Sequence, residues 1–219
     1  MNENLEKIIV VDTETTNSIE DPICYDIGFA VVNFSGEVFE KHSYVVADIF
    51  LDEELMASAY FIDKIPTYWE EIKAGKRELR KFSTIRRIFA ETCAKYNIQK
   101  VCAHNMRFDY RSLNLTQRFL TSSRYRYFFP FGIKFWDTLK MSREILNKND
   151  AYGEFCYLNN FLTANNRKSF TAENIFRFIS GEKTFEESHT GLEDVLIEKD
   201  IFAYCVEQKP DINGALWEN

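Results

Sequence analysis

Residues 8–16, IIVVDTETT, tie a buried strand to two carboxylates. Four apolar, β-branched residues read as a strand, Asp12 ends it, and Glu14 follows two positions later. Residues i and i+2 of a strand share a face, so the two acids stand on one side, roughly 7 Å apart. Like charges at the edge of a core repel. Either one carboxyl is protonated, or a cation lies between them, or both sit in solvent just past the strand. The rest of the chain has to decide among these.

The surrounding pattern defines the fold class. Residues 24–34 (CYDIGFAVVNF) and 37–47 (EVFEKHSYVVA) are two more strand-like runs, separated by a Ser35-Gly36 turn. Three consecutive strands with a short turn predict an antiparallel meander. After them, a short helix is expected over 52–61. Another follows Pro66 toward Lys73, and Gly75 lies near its end. Apolar residues at 85, 88, 89, 93 and 96 give helical periodicity over 83–96. Short strands at 99–103 and 133–138 alternate with helices at 104–120 and 139–147, and 191–208 forms a final helix. A meander followed by helix–strand alternation predicts an α/β mixed sheet, flanked by helices. With 219 residues, 45% hydrophobic content, 20 Phe and 11 Tyr, one domain over 1–219 with a sizeable core is expected.

The five cysteines (24, 93, 102, 156 and 205) form no CxxC pair, and no histidine sits at zinc-ligand spacing beside them. They read as small apolar residues of a reducing compartment, and a zinc site is not expected. The N-terminus lacks the basic and apolar regions of a leader, and no apolar run approaches the ~20 residues that cross a bilayer. A soluble, cytoplasmic protein with no membrane partner is expected.

The net charge of −7 is unevenly spread. Residues 64–134 hold 16 Lys and Arg against 5 Asp and Glu, leaving 11 against 29 elsewhere. Such asymmetry predicts an electrostatic face with salt-sensitive binding to nucleic acid, unless the cations lie on solvated helix faces. Within this segment RYRYFF (124–129) interleaves cations with aromatics, which suits phosphates and stacked bases but equally a partly buried strand or loop.

Further acids answer Asp12 and Glu14. In HNMRFD (104–109), Asp109 falls in the first turns of a helix, where an acid also complements the dipole. In SHTGLED (188–194), Thr190 and Glu193 have capping-box spacing. His189 then occupies N′ and Asp194 N4, two positions whose side chains normally meet as an apolar staple. Asp137, in FWDTL, reads as a supporting or structural acid. Asp12, Glu14, Asp109, Asp194 and His189 together are the parts of two-metal phosphodiester hydrolysis. Carboxylates hold Mg²⁺ or Mn²⁺, and a histidine takes a proton from water.

DTETT (12–16), HNMRFD and HTGLED (189–194), in this order, resemble the three motifs of the DEDDh exonuclease superfamily. That group includes the proofreading subunit of bacterial DNA polymerase III and RNase T. The resemblance spans about residues 8–206. It implies a ribonuclease H-like fold and 3′→5′ removal of nucleotides. Single strands are the expected substrate, because separated ends enter a narrow acidic pocket and aromatics stack bases; DNA is favoured, although no residue announces a contact to a 2′-OH that would decide between DNA and RNA. The resemblance also implies two ions, Mg²⁺ or Mn²⁺, one on Asp12, Glu14 and Asp194, the other on Asp12 with Asp109 through water. His189 would be the general base. Thr13, Thr15, Asn105 and Phe108 would contact the terminal nucleotide. Tyrosine-type relatives carry Tyr four residues before the last aspartate, where this chain has Thr190, so the histidine subgroup is the match.

This chain also departs from the pattern. Asn17 replaces a common glycine, residues 59–66 match the pocket segment poorly, and 161–185 looks like an insertion. A homodimer and a polymerase partner are both compatible with the resemblance. The latter would be reached through Leu216 and Trp217 of the tail, and a catalytically silent binding module is the remaining alternative.

Overall fold

A computed structural model describes residues 6–209, so Leu216 and Trp217 lie outside the described residues. Six strands form one sheet in the order β4-β3-β2-β1-β5-β6. β1 (Lys7–Asn17), β2 (Pro22–Asn33) and β3 (Val38–Val46) are the antiparallel meander. β5 (Lys100–Ala103) runs parallel to β1, and β6 (Lys134–Asp137) parallel to β5. The expected mixed sheet is therefore present. It is extended by a short strand that sequence reading did not foresee, β4 (Glu78–Arg80), parallel to β3. Three residues with polar ends carry too little periodicity to announce a strand.

β1 itself runs further than its apolar stretch. Its pairing with β2 continues past Val11, through Asp12 opposite Gly28 and Glu14 opposite Asp26, to Asn17 opposite Pro22. The two acids thus lie inside the strand and not beyond its end, because β2 supplies hydrogen bonds along the whole length. Asn17 closes the strand in the left-handed conformation (φ 71°), which asparagine tolerates.

Helices cover both faces. α1 (Ala47–Phe50) and α2 (Glu53–Met56) are single turns, so the helix expected over 52–61 is broken up, with a 3₁₀ turn at Ile62–Lys64. α3 (Ile65–Lys73) carries Pro66 in its first turn, and α4 (Phe82–Tyr96) and α5 (Met106–Leu120) follow. α6 (Thr138–Leu146), α7 (Asp150–Leu158), α8 (Ala172–Ser180) and α9 (Gly191–Gln208) complete the described residues.

Alternation along β1 divides the core in two. Ile9 and Val11 face Phe29, Phe82, Phe89 and Leu113, on the side of α4 and α5. Ile8 and Val10 face Trp136, Met141, Ile201 and Phe202, on the side of α6 and α9. Burial on both faces is why this strand reads as an unbroken apolar run. Residues 161–185 are built into the second core. They supply α8, a bridge between Leu162 and Lys168, and Phe161, Phe170, Phe176, Phe178 and Phe185. All five cysteines are buried and unpaired. Among the described residues no helix is long and apolar enough to cross a membrane.

Candidate active site

The even-numbered face of β1, which carries Ile8 and Val10 into the core, carries Asp12 and Glu14 toward the start of α9. α9 comes this close because two glycines meet. A Cβ on Gly28 would lie 2.2 Å from the Gly191 carbonyl carbon, and one on Gly191 would lie 2.6 Å from the Gly28 nitrogen. Backbone-to-backbone contact of this kind excludes any side chain and fixes where Asp194 stands.

Arg77 locks the same junction. This buried guanidinium pairs with Asp26 (3.3 Å) on β2, with Glu193 (2.8 Å) on α9 and with Glu71. Asp26 also accepts from the Tyr68 hydroxyl at 2.6 Å and the Gly191 N–H at 3.0 Å. Thr190 is the N-cap of α9 as expected, but the capping box is rearranged. The Thr190 hydroxyl donates to Glu193, and the Thr190 N–H is accepted by Asp194 at 2.9 Å. Arg77 draws Glu193 aside, so Asp194 takes the carboxylate's role at the cap.

On the other face of β1, the Thr13 hydroxyl donates to Asp109 at 2.9 Å and meets the Ser112 hydroxyl, which holds Asp109 against the strand. α5 presents a buried polar line of Asp109, Ser112 and Thr116 to the meander. Asn105 precedes α5 in the left-handed conformation (φ 69°), and its N–H donates to Asp137 at 3.1 Å. Asp137 also accepts from Leu139 and Lys140 as the N-cap of α6, a structural role.

The carboxylates crowd one another without compensating cations. Burial, reinforced by Asp194 and Asp26, pushes Glu14 up to about 9. Burial with Glu187 beside it raises Asp194 to about 8, and burial raises Asp109 to about 7. Burial, with Glu198 the foremost like charge, raises Asp12 well above the carboxylate range. Asp12 Oδ2 is buried and has no hydrogen-bond partner. Ligand atoms of Glu14, His189 and Asp194 lie within 4.8 Å of one another. An orphaned buried carboxylate oxygen near two further carboxylates and an imidazole fits a divalent cation. Asp12 is not in that tightest group. Its side chain borders a second cavity, with His104, Asn105, Glu187 and Glu198.

His189 is partly exposed, in the left-handed conformation (φ 53°), with its ring stacked on Phe61 at 4.3 Å. Burial is the main cause that lowers its pKa below the ordinary histidine value, with Lys64 adding to it and Glu173 opposing it. Its Nδ1 stands 4.0 Å from Glu187. Thr13, Thr15 and Phe108 line a 260 Å³ cavity with Glu14, Tyr60 and Phe61, whereas Asn105 lines the cavity on the Asp12 side. The segment at 59–66 that matched poorly thus contributes two aromatic walls.

Sequence reasoning missed Glu187, Glu198, Asp26 and Arg77. Glu198 accepts the His104 N–H at 3.1 Å across 94 residues, and it lies one helical turn beyond Asp194, the only local hint of its place. Of the 16 cations of residues 64–134, five are ion-paired, and Arg77, Lys95 and Lys100 pair with acids outside the segment. The charge asymmetry of the sequence is thus partly neutralised in space. RYRYFF is a loop whose Tyr125 and Tyr127 are exposed, while Phe128 and Phe129 are in the core.

The chain matches solved structures over nearly its whole length. The fold is that of exonuclease I. Exonuclease I from Methylocaldum szegediense aligns with 94% of this chain and 41% of its own, at TM-score 0.58 and 13% identity. Escherichia coli exonuclease I in complex with a dA16 oligonucleotide gives 0.53 and 13% over the same shares. The zinc-bound form of the E. coli exonuclease I–ssDNA complex gives 0.54 and 12%, again covering 94% of this chain and 41% of its own. The chain therefore spans about two fifths of the exonuclease I chains it matches. No protein-family model and no curated protein matches it.

Proposed function

We propose that the chain is a metal-dependent 3′→5′ exonuclease acting on single-stranded nucleic acid, with DNA as the favoured substrate. The observation that carries this reading is the cluster of Glu14, Asp194 and a partly exposed His189 beside an aromatic cavity, with Asp12 and Asp109 close enough for the acids to raise one another's pKa. The exonuclease I fold and its complexes with single-stranded DNA support the substrate class.

Oxygen-only carboxylates suit Mg²⁺ or Mn²⁺. Two such ions, held by Asp12, Glu14 and Asp194 and by Asp12 with Asp109, would neutralise the acids, acidify a water and stabilise the leaving oxygen. His189 takes the proton of the attacking water, and Glu187 beside Nδ1 stabilises the imidazolium that results. Thr13 keeps Asp109 oriented through its hydroxyl. Tyr60, Phe61 and Phe108 offer ring faces on which the terminal base stacks.

Digestion of a 5′-labelled single-stranded DNA and its RNA twin tests the reading, each with Mn²⁺, with EDTA and with His189→Ala. A metal-dependent ladder shortening from the 3′ end is expected, slowed by about 10²–10⁴-fold in the variant. No cleavage of either strand with metal present would leave a binding module, or an enzyme that needs a polymerase partner.

A further inference from the structure

The cavity on the Asp12 side does not end at the acids. It shares Arg143, Thr163 and Phe170 with an adjoining cavity of 710 Å³, whose wall also carries Arg167, Lys168 and Asn165. No Asp or Glu lines this outer cavity, on a chain whose net charge is −7. Arg143 and Arg167 are exposed and form no ion pair among the described residues. Arg143 lies over the Phe170 ring at 6.0 Å. Lys168 is held in place by three backbone carbonyls at the end of α6, the nearest that of Asn147 at 2.7 Å. A fixed ammonium, two unpaired guanidiniums, amide and hydroxyl groups and an aromatic ring are the components of a groove that follows a phosphate backbone and stacks bases.

The two cavities reach the acid pair at different residues: Glu14 borders the aromatic one and Asp12 the other. A strand whose 3′ nucleotide fills the aromatic cavity must leave the acids by another route. We infer that the groove walled by Arg143, Arg167 and Lys168 holds the phosphodiester backbone of the strand upstream of the scissile bond. This rests on the exonuclease reading for the polarity of the strand. Thr163, Asn165, Arg167, Lys168 and Phe170 then form, with Arg143, a substrate-binding wall of the site.

The test is binding of fluorescein-labelled dT2, dT4, dT8 and dT12 by anisotropy in EDTA, where no hydrolysis interferes. Wild type is compared with Arg143→Ala/Arg167→Ala and with Arg87→Ala/Lys95→Ala, which removes two cations elsewhere. Wild-type affinity should climb with length. The groove variant should lose about tenfold or more of that gain. Its log–log salt slope should flatten by about 1.4, the value for two lost phosphate contacts on a single strand. The distant variant should keep the gain. An equal gain in all three proteins, or equal losses in the two variants, overturns the inference. Length-dependent binding lost in the groove variant, together with a wild type that cleaves nothing in Mn²⁺, would sink the exonuclease reading and leave the groove standing. A normal ladder with no loss in the variant would do the reverse.

Discussion

Glu14 keeps its proton up to about pH 9 in the metal-free fold, Asp194 to about 8 and Asp109 to about 7. Their unfolded values lie in the ordinary carboxylate range. Between the two the folded chain binds more protons than the unfolded one, so stability falls as pH rises. Melting in EDTA should show Tm decreasing steadily from pH 5 to pH 9. A flat profile would mean the acids are not crowded. Glu14→Gln removes a carboxyl that burial and its acidic neighbours force to hold a proton the unfolded chain has released. At pH 8 in EDTA it should gain about 1 kcal/mol, or about 2–4 °C for a chain of this size, while hydrolysis is lost. Asp12 and Glu14 were legible because the two-residue period of a strand puts them on one face, whatever surrounds them. Asp109, His189 and Asp194 were legible as residues of helix starts, through the capping-box spacing at 190–193 and the turn at 104–109, but their approach to β1 depends on contacts that no local pattern encodes.

Elements show where legibility fails. The meander and the long helices followed from periodicity, and α9 has the expected limits, Gly191–Gln208. β4 and the Arg77 network did not follow. Arg77 contacts residues 51 and 116 positions away, and in the sequence it is one cation among sixteen in a basic segment. Yet it joins β2, the start of α9 and Glu71 in one ion-pair cluster, in which only the Arg77–Asp26 pair is buried. Arg77→Ala strands the Asp26 carboxylate in the core. It should cost about 3–5 kcal/mol, read as a lower urea midpoint with an unchanged m value. Arg77→Lys should not restore it, because a point charge cannot serve three carboxylates as a guanidinium fork does. Gly28→Ala tests the neighbouring contact. Its methyl would meet the Gly191–Leu192 backbone and not a yielding side chain. A loss of about 1–3 kcal/mol is expected, with activity falling further as Asp194 is displaced.

At the scale of the molecule, the fold holds a group of carboxyls at raised pKa, and a cation bound there would displace their protons. Binding to the folded state alone raises stability by about 2.7 kcal/mol at a concentration 100 times Kd. Mn²⁺ should therefore raise Tm measurably in the wild type, and the rise should disappear in Asp12→Asn/Asp194→Asn. An equal rise in both would place the ion elsewhere. The five buried cysteines serve as clocks for the same fold. They sit on β2, α4, β5, α7 and α9, and burial raises the pKa of every thiol, so none reacts until its surroundings open. Mass spectrometry after pulses of an alkylating reagent would time each opening separately. If the sheet and the helices on both its faces open as one body, all five masses appear together, and any thiol that runs ahead marks the first seam to part.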